Sequence, residues 1–319
     1  MEAIDLKSKT IVYKPKQGLL KRIVRARQLY LLLALPLLYL LIFKYYPMFG
    51  LQLAFKDYDI GAGIWGSKWV GFKYFKKFFN DYRFWNLLVN TLRISVYQLV
   101  AGFFVPIILA LSLNCLKHTG LKRVIQTITY IPHFISVVIL VGILNQIFNP
   151  IVGLYGSMSQ LLTGETAVDI LGIPSAFSHL YVWSGVWQNA GWNSIIYIAA
   201  LANADQQLHE AAQIDGATRL QRVRYVDIPS ILPTATILLI LDAGKIMSVG
   251  FEKAYLMQSA LNLSYSEIIS TFVYKQAFGT GSSNFSYSTA IGFFNSLINL
   301  ILILVVNKLA KKFSETSLW

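Results

Sequence analysis

The polar residues best suited to chemistry lie inside a long apolar segment. Between positions 178 and 201 the sequence carries three tryptophans and three amides: Trp183, Trp187, Gln188, Asn189, Trp192 and Asn193. Aromatic rings stack on the C–H face of a pyranose ring, and amides hydrogen-bond to its hydroxyls in an otherwise apolar pocket. The pattern therefore favours a sugar site. It is equally typical of amides that join neighbouring membrane helices, since a polar group in hydrocarbon needs a partner.

A second apolar segment contains two opposite charges. Asp242 and Lys245 are three positions apart, so they would share a helix face and neutralise each other. An ionisable residue within a membrane segment is a functional candidate, but an ion pair that faces a partner subunit explains the pattern almost as well. The candidates for a substrate path are Trp187, Gln188, Asn189, Trp192, Asn193, Asp242 and Lys245.

Other kinds of chemistry have little support in the sequence. Cys115 is the only cysteine, which excludes an intramolecular disulfide and a cysteine-based metal cluster. We find no metal-spaced His or Asp cluster and no grouping of Ser, His and Asp, which argues against a membrane enzyme. A phosphate-binding G-x-x-x-x-G-K-[ST] motif is also missing, because Gly244-Lys245 is followed by Ile246. We predict no catalytic residue, metal or cofactor in this chain.

The elements that must position these residues are membrane helices. The chain is 55% hydrophobic and 13% charged over 319 residues, which is more apolar surface than a soluble domain hides. A spanning helix needs about 20 apolar residues. Six segments qualify, at about 29–48, 92–114, 124–147, 178–201, 229–250 and 288–307. We predict an all-α integral membrane protein with six transmembrane helices and one membrane domain over residues 29–319.

Basic residues determine the predicted orientation. The net charge of +13 comes from Lys and Arg between the apolar runs, and not from a folded basic face of the kind that binds nucleic acid. The basic first 28 residues and the lysines at 308, 311 and 312 place both termini in the cytoplasm by the positive-inside rule. The first outer loop, at about 49–91, disagrees because it has more basic than acidic residues. Its many aromatic residues favour an interfacial helix on the outer membrane surface.

The basic N-terminal region, residues 1–28, has two interpretations. Basic residues alternate with apolar ones from about Leu19 to Tyr30, which is typical of an amphipathic helix on the inner surface. Snorkelling side chains that anchor the first span explain the same pattern. A cleaved signal peptide is disfavoured, because no small-residue cleavage site closes the first apolar run.

The loop at about 202–229 has the features of a docking element. Asp205 can cap a short helix that Gly216 ends. A second helix is expected after Gly216 and should stop near Pro229, which cannot continue the hydrogen-bond ladder. The apolar positions of the first helix form one narrow face: Leu208, Ala211, Ala212 and Ile214. Its small residues suit a groove on another protein, where Glu210 would pair with a basic group, but an ordinary amphipathic linker explains the pattern as well.

This loop resembles the EAA loop of ABC importer permeases. The family pattern is E-A-A, three residues, G, nine residues, I, one residue and L-P, and the same spacing joins Glu210-Ala211-Ala212, Gly216, Val226 and Ile228-Pro229 here. The resemblance implies the type I ABC importer architecture, in which this loop is the coupling helix that inserts into a separate ATPase. The coupling-loop residues implied by the match are Glu210, Ala211, Ala212, Asp215, Gly216 and Pro229.

The rest of the chain resembles the carbohydrate-uptake group of these permeases, and most closely the LplB-like oligosaccharide and polysaccharide permeases. The runs at 69–79, 84–92, 130–133 and 249–253 carry this resemblance. Similarity to the maltose importer places its sugar site near Gln188, Asn189, Trp192 and Asp242. A cargo other than sugar, such as an amino acid or peptide, stays open because the EAA loop does not report cargo.

The resemblance also implies an assembly in the bacterial cell membrane. A second permease subunit would complete the channel as a heterodimer, and two ATPase subunits would hold ATP and magnesium. An external solute-binding protein would deliver the sugar. An ion channel or secondary transporter is disfavoured, because we find no inverted repeats or broken helix pairs in the sequence.

Overall fold

The computed structural model describes residues 26–279 and 284–313. The chain divides into two units, Met1–Gln52 and Leu53–Trp319. Most of the basic N-terminal region, residues 1–28, lies outside the described residues. The choice between an amphipathic helix and a simple anchor therefore stays a prediction.

One long helix dominates the first unit. Helix α1, Arg27–Leu40, passes through a π-turn at Leu41–Tyr45 into α2, Tyr46–Met48, and a 3-10 turn follows at Phe49–Phe55. Its leucines are exposed, as a helix in contact with lipid requires. It agrees in position with the first predicted span.

A short aromatic-rich region opens the second unit. Strand β1, Lys56–Asp57, pairs antiparallel with β2, Lys68–Trp69, and the connection between them contains α3, Gly63–Gly66. Helix α4, Lys73–Phe79, follows. The Phe75 ring lies 6.0 Å from that of Phe293, and the Phe78 ring lies 5.5 Å from that of Phe294. These contacts hold the region against the last helix of the chain, and its predicted place on the outer membrane surface stays a prediction.

The remainder of the second unit is helical apart from its turns. The helices are, in order, α5 (Phe84–Asn114), α6 (Thr119–Tyr130), α7 (Val137–Ile147), α8 (Leu154–Thr163), α9 (Ala176–Ala202), α10 (Gln206–Ile214), α11 (Arg219–Arg222), α12 (Ile228–Ala243), α13 (Phe251–Met257), α14 (Leu263–Ser266), α15 (Ile269–Phe278) and α16 (Phe285–Phe313). Helices α5 and α9 form the most extensive helix pair. Ile94, Ala101, Val182 and Val186 belong to one buried cluster between them.

Length and composition identify four helices in the described residues that can cross a membrane: Arg27–Phe55, Phe84–Asn114, Arg219–Ala243 and Phe285–Lys311. A bent pair over Thr119–Ile147 raises the number to five if it forms one span. The predicted fourth span is present as α9, a helix of 27 residues, but its amides and serines make it less apolar than the other four. The chain is thus a multi-pass membrane protein, and the arrangement of six spans stays a prediction.

The predicted third span, at about 124–147, is not one helix. Thr119–Phe134 and α7 meet at 101°, which corrects both the prediction of a continuous span and the expectation of no broken helix pair. Pro132 has no amide hydrogen to donate. Ser136 then begins α7 by accepting a hydrogen bond from the amide of Ile139 at 3.3 Å. The backbone ladder therefore restarts in a new direction.

The predicted fifth span, at about 229–250, begins and ends earlier than expected. Pro229 does not stop the helix, since Arg219–Ala243 is helical throughout. A π-turn at Val223–Asp227 comes directly before the proline, where the missing amide would interrupt an ordinary helix.

The end of this helix changes the relation between the two charged candidates. Helix α12 ends at Ala243, so Lys245 lies in the following turn and does not share a helix face with Asp242. Its amide donates to the Asp242 carbonyl at 3.0 Å. Side chains of α16 bind the backbone at the end of the turn, because Asn299 accepts from the Met247 amide and Asn295 donates to the Met247 carbonyl. Side-chain amides therefore replace the helix ladder here.

Candidate functional site

A cavity of about 260 Å³ lies between α5, α9 and the turn after α12. This volume is close to the lower end of the range for ligand pockets, about 300–1,000 Å³. Its lining includes the polar side chains of Ser95, Gln98, Asn189, Asn193, Asp242 and Lys245. Four of the seven substrate-path candidates therefore meet in one place, from α9 and from the end of α12. Ser95 and Gln98 join them from α5.

Asn189 links this cavity to the broken span. Its side-chain nitrogen donates to the Gly185 carbonyl at 3.0 Å. Its side-chain oxygen lies 3.0 Å from His133 Nδ1. Trp192 stacks on His133 with ring centroids 4.5 Å apart. Both ends of the Asn189 amide are therefore engaged, one within α9 and one at the broken span.

Gln188 binds the backbone where the third predicted span is broken. It is buried, and its Nε2 donates to the carbonyl of Ile135 at 2.7 Å. That carbonyl lies between α6 and α7, where the helix ladder is interrupted. Gln188 is absent from the lining of the cavity, as are Trp192 and the exposed Trp187. A substrate role for these three residues stays a prediction.

Helices α6 and α9 cross in backbone contact. A Cβ added at Gly191 would lie 2.1 Å from the Thr129 carbonyl oxygen. Small residues permit such crossings between membrane helices. Helix α9 therefore contacts the broken span at two places. Gly191 packs on Thr129 in α6, and Gln188 binds Ile135 just before α7.

Asp242 and Lys245 supply the charges of the cavity. Both residues are exposed. Within residues 26–279 and 284–313, the ion pairs are Lys73–Asp57, Arg83–Asp81, His209–Asp227 and Lys275–Glu267, and this pair is not among them. Asp242 and Lys245 therefore form no direct ion pair, and their mutual neutralisation stays a prediction.

A buried lysine close to the cavity was not singled out from the sequence. Lys253 on α13 is 7% exposed, and its Nζ donates to the Tyr181 carbonyl at 2.7 Å. A Cβ on Gly185, which lines the cavity, would lie 3.2 Å from this nitrogen. Burial lowers the pKa of Lys253 to about 8. The sequence signal was weak, because Lys253 directly follows the acidic residue Glu252.

The first part of the loop, residues 205–221, folds locally as predicted. Asp205 caps α10 by accepting from the Gln207 amide at 2.8 Å. The chain turns at Gly216, whose φ of 76° lies in the region that favours glycine. Thr218 and Gln221 then form a capping box that begins α11.

Much of the apolar surface of this loop is uncovered. Leu208 is 53% exposed, Ile214 86% and Leu220 78%. Glu210 is also exposed, and its hydrogen bond comes from Gln206 at 3.4 Å. Several large apolar side chains exposed within one loop suit burial on a partner. The geometry can therefore fill a groove on another protein and present a carboxylate to it.

One polar contact beneath the loop was also missed from the sequence. The Asp227 carboxylate is almost fully buried and contacts His209 on α10 and Asn114 at the end of α5. An aspartate directly before the Ile228-Pro229 pair was the available signal. The contact joins two parts of this loop to the end of α5, which is 113 positions from Asp227.

Comparison with known proteins identifies the family. Residues 102–315 match the family described as binding-protein-dependent transport system inner membrane component. The chain belongs to this family. The permease is 41% identical to Protein LplB of Bacillus subtilis (strain 168) over 321 residues, which covers 100% of both chains. It is 40% identical to the polygalacturonan/rhamnogalacturonan transport system permease protein YteP of the same organism over 304 residues, with 95% of this chain and 94% of the relative covered.

Solved structures confirm the type I ABC permease fold. A chain in the crystal structure of a bacterial alginate ABC transporter, in complex with an alginate pentasaccharide-bound periplasmic protein, superposes on this permease with a TM-score of 0.86. The two chains are 34% identical, and 95% of the permease and 100% of the other chain are covered. The predicted family is confirmed, and the permease is a transporter subunit rather than an enzyme. The roles of individual residues in the cavity and loop stay predictions.

Proposed function

We propose that this permease forms half of the translocation path of an ATP-driven importer and carries a sugar or oligosaccharide inward by alternating access. The observation that carries the proposal is the cavity between α5 and α9, where Asn189 and Asn193 meet Asp242 and Lys245. Amides and charged groups in a partly apolar cavity suit a ligand with many hydroxyls. Relatives whose names include polygalacturonan and alginate favour the same class of cargo.

The proposed topology has six spans with both termini in the cytoplasm, in the bacterial cell membrane. Helix α9 would supply the sixth span, in addition to the four long apolar helices and the bent pair. A second permease would complete the path as a heterodimer, and a solute-binding protein would deliver cargo from outside. Membership of a binding-protein-dependent transport family supports this assembly.

Energy would come from two separate ATPase subunits that bind ATP and magnesium. The proposed contact is the coupling loop, with Glu210, Ala211, Ala212, Asp215, Gly216 and Pro229. The exposed apolar side chains of α10 and α11 support this assignment, because their burial on a partner would stabilise the complex. Glu210 would pair with a basic group of that partner.

The test of coupling is affinity purification of the tagged chain from its native membrane. We compare wild type with the double variant Glu210→Lys and Gly216→Pro. The control is Glu165→Lys, the same charge reversal at an exposed position outside the loop. An ATPase and a second permease should co-purify with wild type and control, and the double variant should lose the ATPase. Recovery of the wild-type chain alone and stable would contradict the proposal.

The cargo is tested separately by uptake into cells that carry the complex. Labelled oligosaccharides from polygalacturonan, rhamnogalacturonan and alginate should accumulate, whereas labelled amino acids and peptides should not. The reverse result would replace the sugar assignment with a non-sugar cargo and leave the coupling result intact.

A further inference from the structure

A buried carboxylate joins the coupling loop to two long helices. Asp227 is 3% exposed and belongs to the π-turn that precedes α12. His209 Nε2 on α10 lies 3.1 Å from Asp227 Oδ1. Asn114 Nδ2, at the last residue of α5, donates to the same oxygen at 3.2 Å. We call this contact of His209, Asp227 and Asn114 the Asp227 junction.

The junction supplies a polar attachment for a helix that has little other packing. No residue of α10 is fully buried. The side chain of His209 is 24% exposed, whereas Leu208 and Glu210 on either side of it are exposed. A buried carboxylate is stable only when donors satisfy it. Displacement of α10 away from α12 would therefore break a contact that the interior does not replace.

The three elements also lead to the cavity. Ser95, Gln98 and Gly102 of α5 line it, and Asp242 at the far end of α12 lines it too. Helix α5 ends at Asn114, and the helix that contains Asp227 runs on to Ala243. A rigid helix transmits a displacement of one end to the other. A movement of α10 would thus reach both sides of the cavity through the junction.

We propose that Asp227 is a positioning residue for energy coupling, which holds α10 to the ends of α5 and α12 so that they move together. The inference rests on the proposed function, since it requires α10 to be displaced by an ATPase. Asp227 itself touches neither cargo nor nucleotide in this proposal. Loss of the junction should leave the ATPase bound and reduce the response of the cavity to ATP.

The response is measured with a thiol probe in the cavity, in the complete complex purified through a tag on this chain. Gly102→Cys places the thiol there, because a Cβ at Gly102 meets no atom within 4 Å and the residue lines the cavity. The maleimide labelling rate is compared without nucleotide and with ATP plus vanadate. The chain without the added cysteine reports labelling of the native Cys115.

The variants are Asp227→Ala, His209→Gln and the two combined. His118→Gln is the matched control, since His118 is exposed and caps no helix with its side chain. We expect Asp227→Ala to retain the ATPase and to reduce the nucleotide-dependent change in labelling about fivefold or more. The double variant should be no worse than Asp227→Ala, because both substitutions remove the same contact. The control should respond as wild type does.

A purely structural role predicts a different pattern. The yield of complex would fall, but the complex that remains would respond to ATP as wild type does, and this result would overturn the proposal. If Asp227→Ala yields no complex, the labelling response of His209→Gln tests the proposal instead. This variant should still fold, because it retains the buried Asp227 carboxylate and its hydrogen bond from Asn114. If the ATPase is bound but the wild-type cavity does not respond to ATP, the proposed function and this inference both fail. A wild-type response that the Asp227 and His209 variants retain overturns only the inference.

Discussion

One added methyl group tests how closely α6 and α9 must approach. In Gly191→Ala, the new Cβ would lie 2.1 Å from the Thr129 carbonyl oxygen and 2.9 Å from the Thr129 Cβ. Ordinary contacts begin at 3.4 Å, so the two backbones must separate by about 1.3 Å, the difference between 3.4 and 2.1 Å. The obstructing atom belongs to the backbone and cannot rotate away. Separation would also stretch the contacts of α9 with His133 and Ile135.

The size of the effect follows from two opposing terms. Overpacking of a close contact costs about 2–3 kcal/mol when backbone must move. Alanine is favoured over glycine within a helix by about 1 kcal/mol. The net destabilisation is about 1–2 kcal/mol, which changes the ratio of folded to unfolded protein by about 5–30-fold.

The assay heats the solubilised protein and measures the fraction that remains monodisperse. The midpoint is the temperature at which half of the protein is lost. We expect Gly191→Ala to lower the midpoint by about 2–8 °C. Gly142→Ala is the matched control, because Gly142 also lies within a helix, α7, and has no atom within 4 Å of its added Cβ. The control should be neutral or stabilising. Equal midpoints for the two variants would refute the argument for a backbone contact at this crossing.

Three further predictions concern the broken span, the cavity and the aromatic-rich region. Gln188→Leu leaves the Ile135 carbonyl without its donor and should destabilise the protein by about 1–3 kcal/mol in the same heating assay; a midpoint at or above wild type would contradict this. Asn193→Ala removes one amide from the cavity and should lower oligosaccharide uptake about two- to tenfold, whereas the exposed Trp187→Phe outside the cavity should change it less than twofold. In the aromatic-rich region, hydrogen bonds from Lys73 and then Tyr74 hold the pKa of Asp57 below its ordinary 3.8. Burial alone would raise the pKa of Asp81, but hydrogen bonds from Arg83 outweigh it and lower that pKa too. The stabilisation from these two carboxylates is complete above the ordinary carboxyl pKa and is lost as the pH falls through their lowered pKa values in the folded protein. Tryptophan fluorescence of the region should therefore change below about pH 4. The double variant Asp57→Asn with Asp81→Asn should lack this transition.

The sequence was a sound guide where structure depends on neighbouring residues. The start of α10 at Asp205 and its end before Gly216 were predicted correctly, because a cap and a positive φ act within a few positions. The positions of the long apolar helices were predicted for the same reason, since hydrophobic length is a local property. The charges Asp242 and Lys245 were also correctly singled out as residues of one region.

One error has a local cause, and the others arose where distant residues decide the backbone. Pro229 did not end its helix, because the π-turn before it absorbs the missing hydrogen bond. The break in the third predicted span is stabilised by Gln188, which is 53 positions from its acceptor Ile135. The Asp227 junction joins residues that are 113 positions apart, Asn114 and Asp227. An amide that composition suggests as a sugar ligand can thus instead hydrogen-bond to a neighbouring helix. Only three-dimensional contacts distinguish these two roles.

The π-turn at Val223–Asp227 gives the spacing of the EAA pattern a geometric meaning. Each residue of a helix advances the next by about 100° around the axis. Deleting one residue between Gly216 and Val226 would restore an ordinary helix and rotate the loop by that angle relative to α12. Asp227 would then no longer point at His209. The nine residues between Gly216 and Val226 thus fix the rotation of the loop about the axis of α12. That rotation brings Asp227 towards His209 on α10.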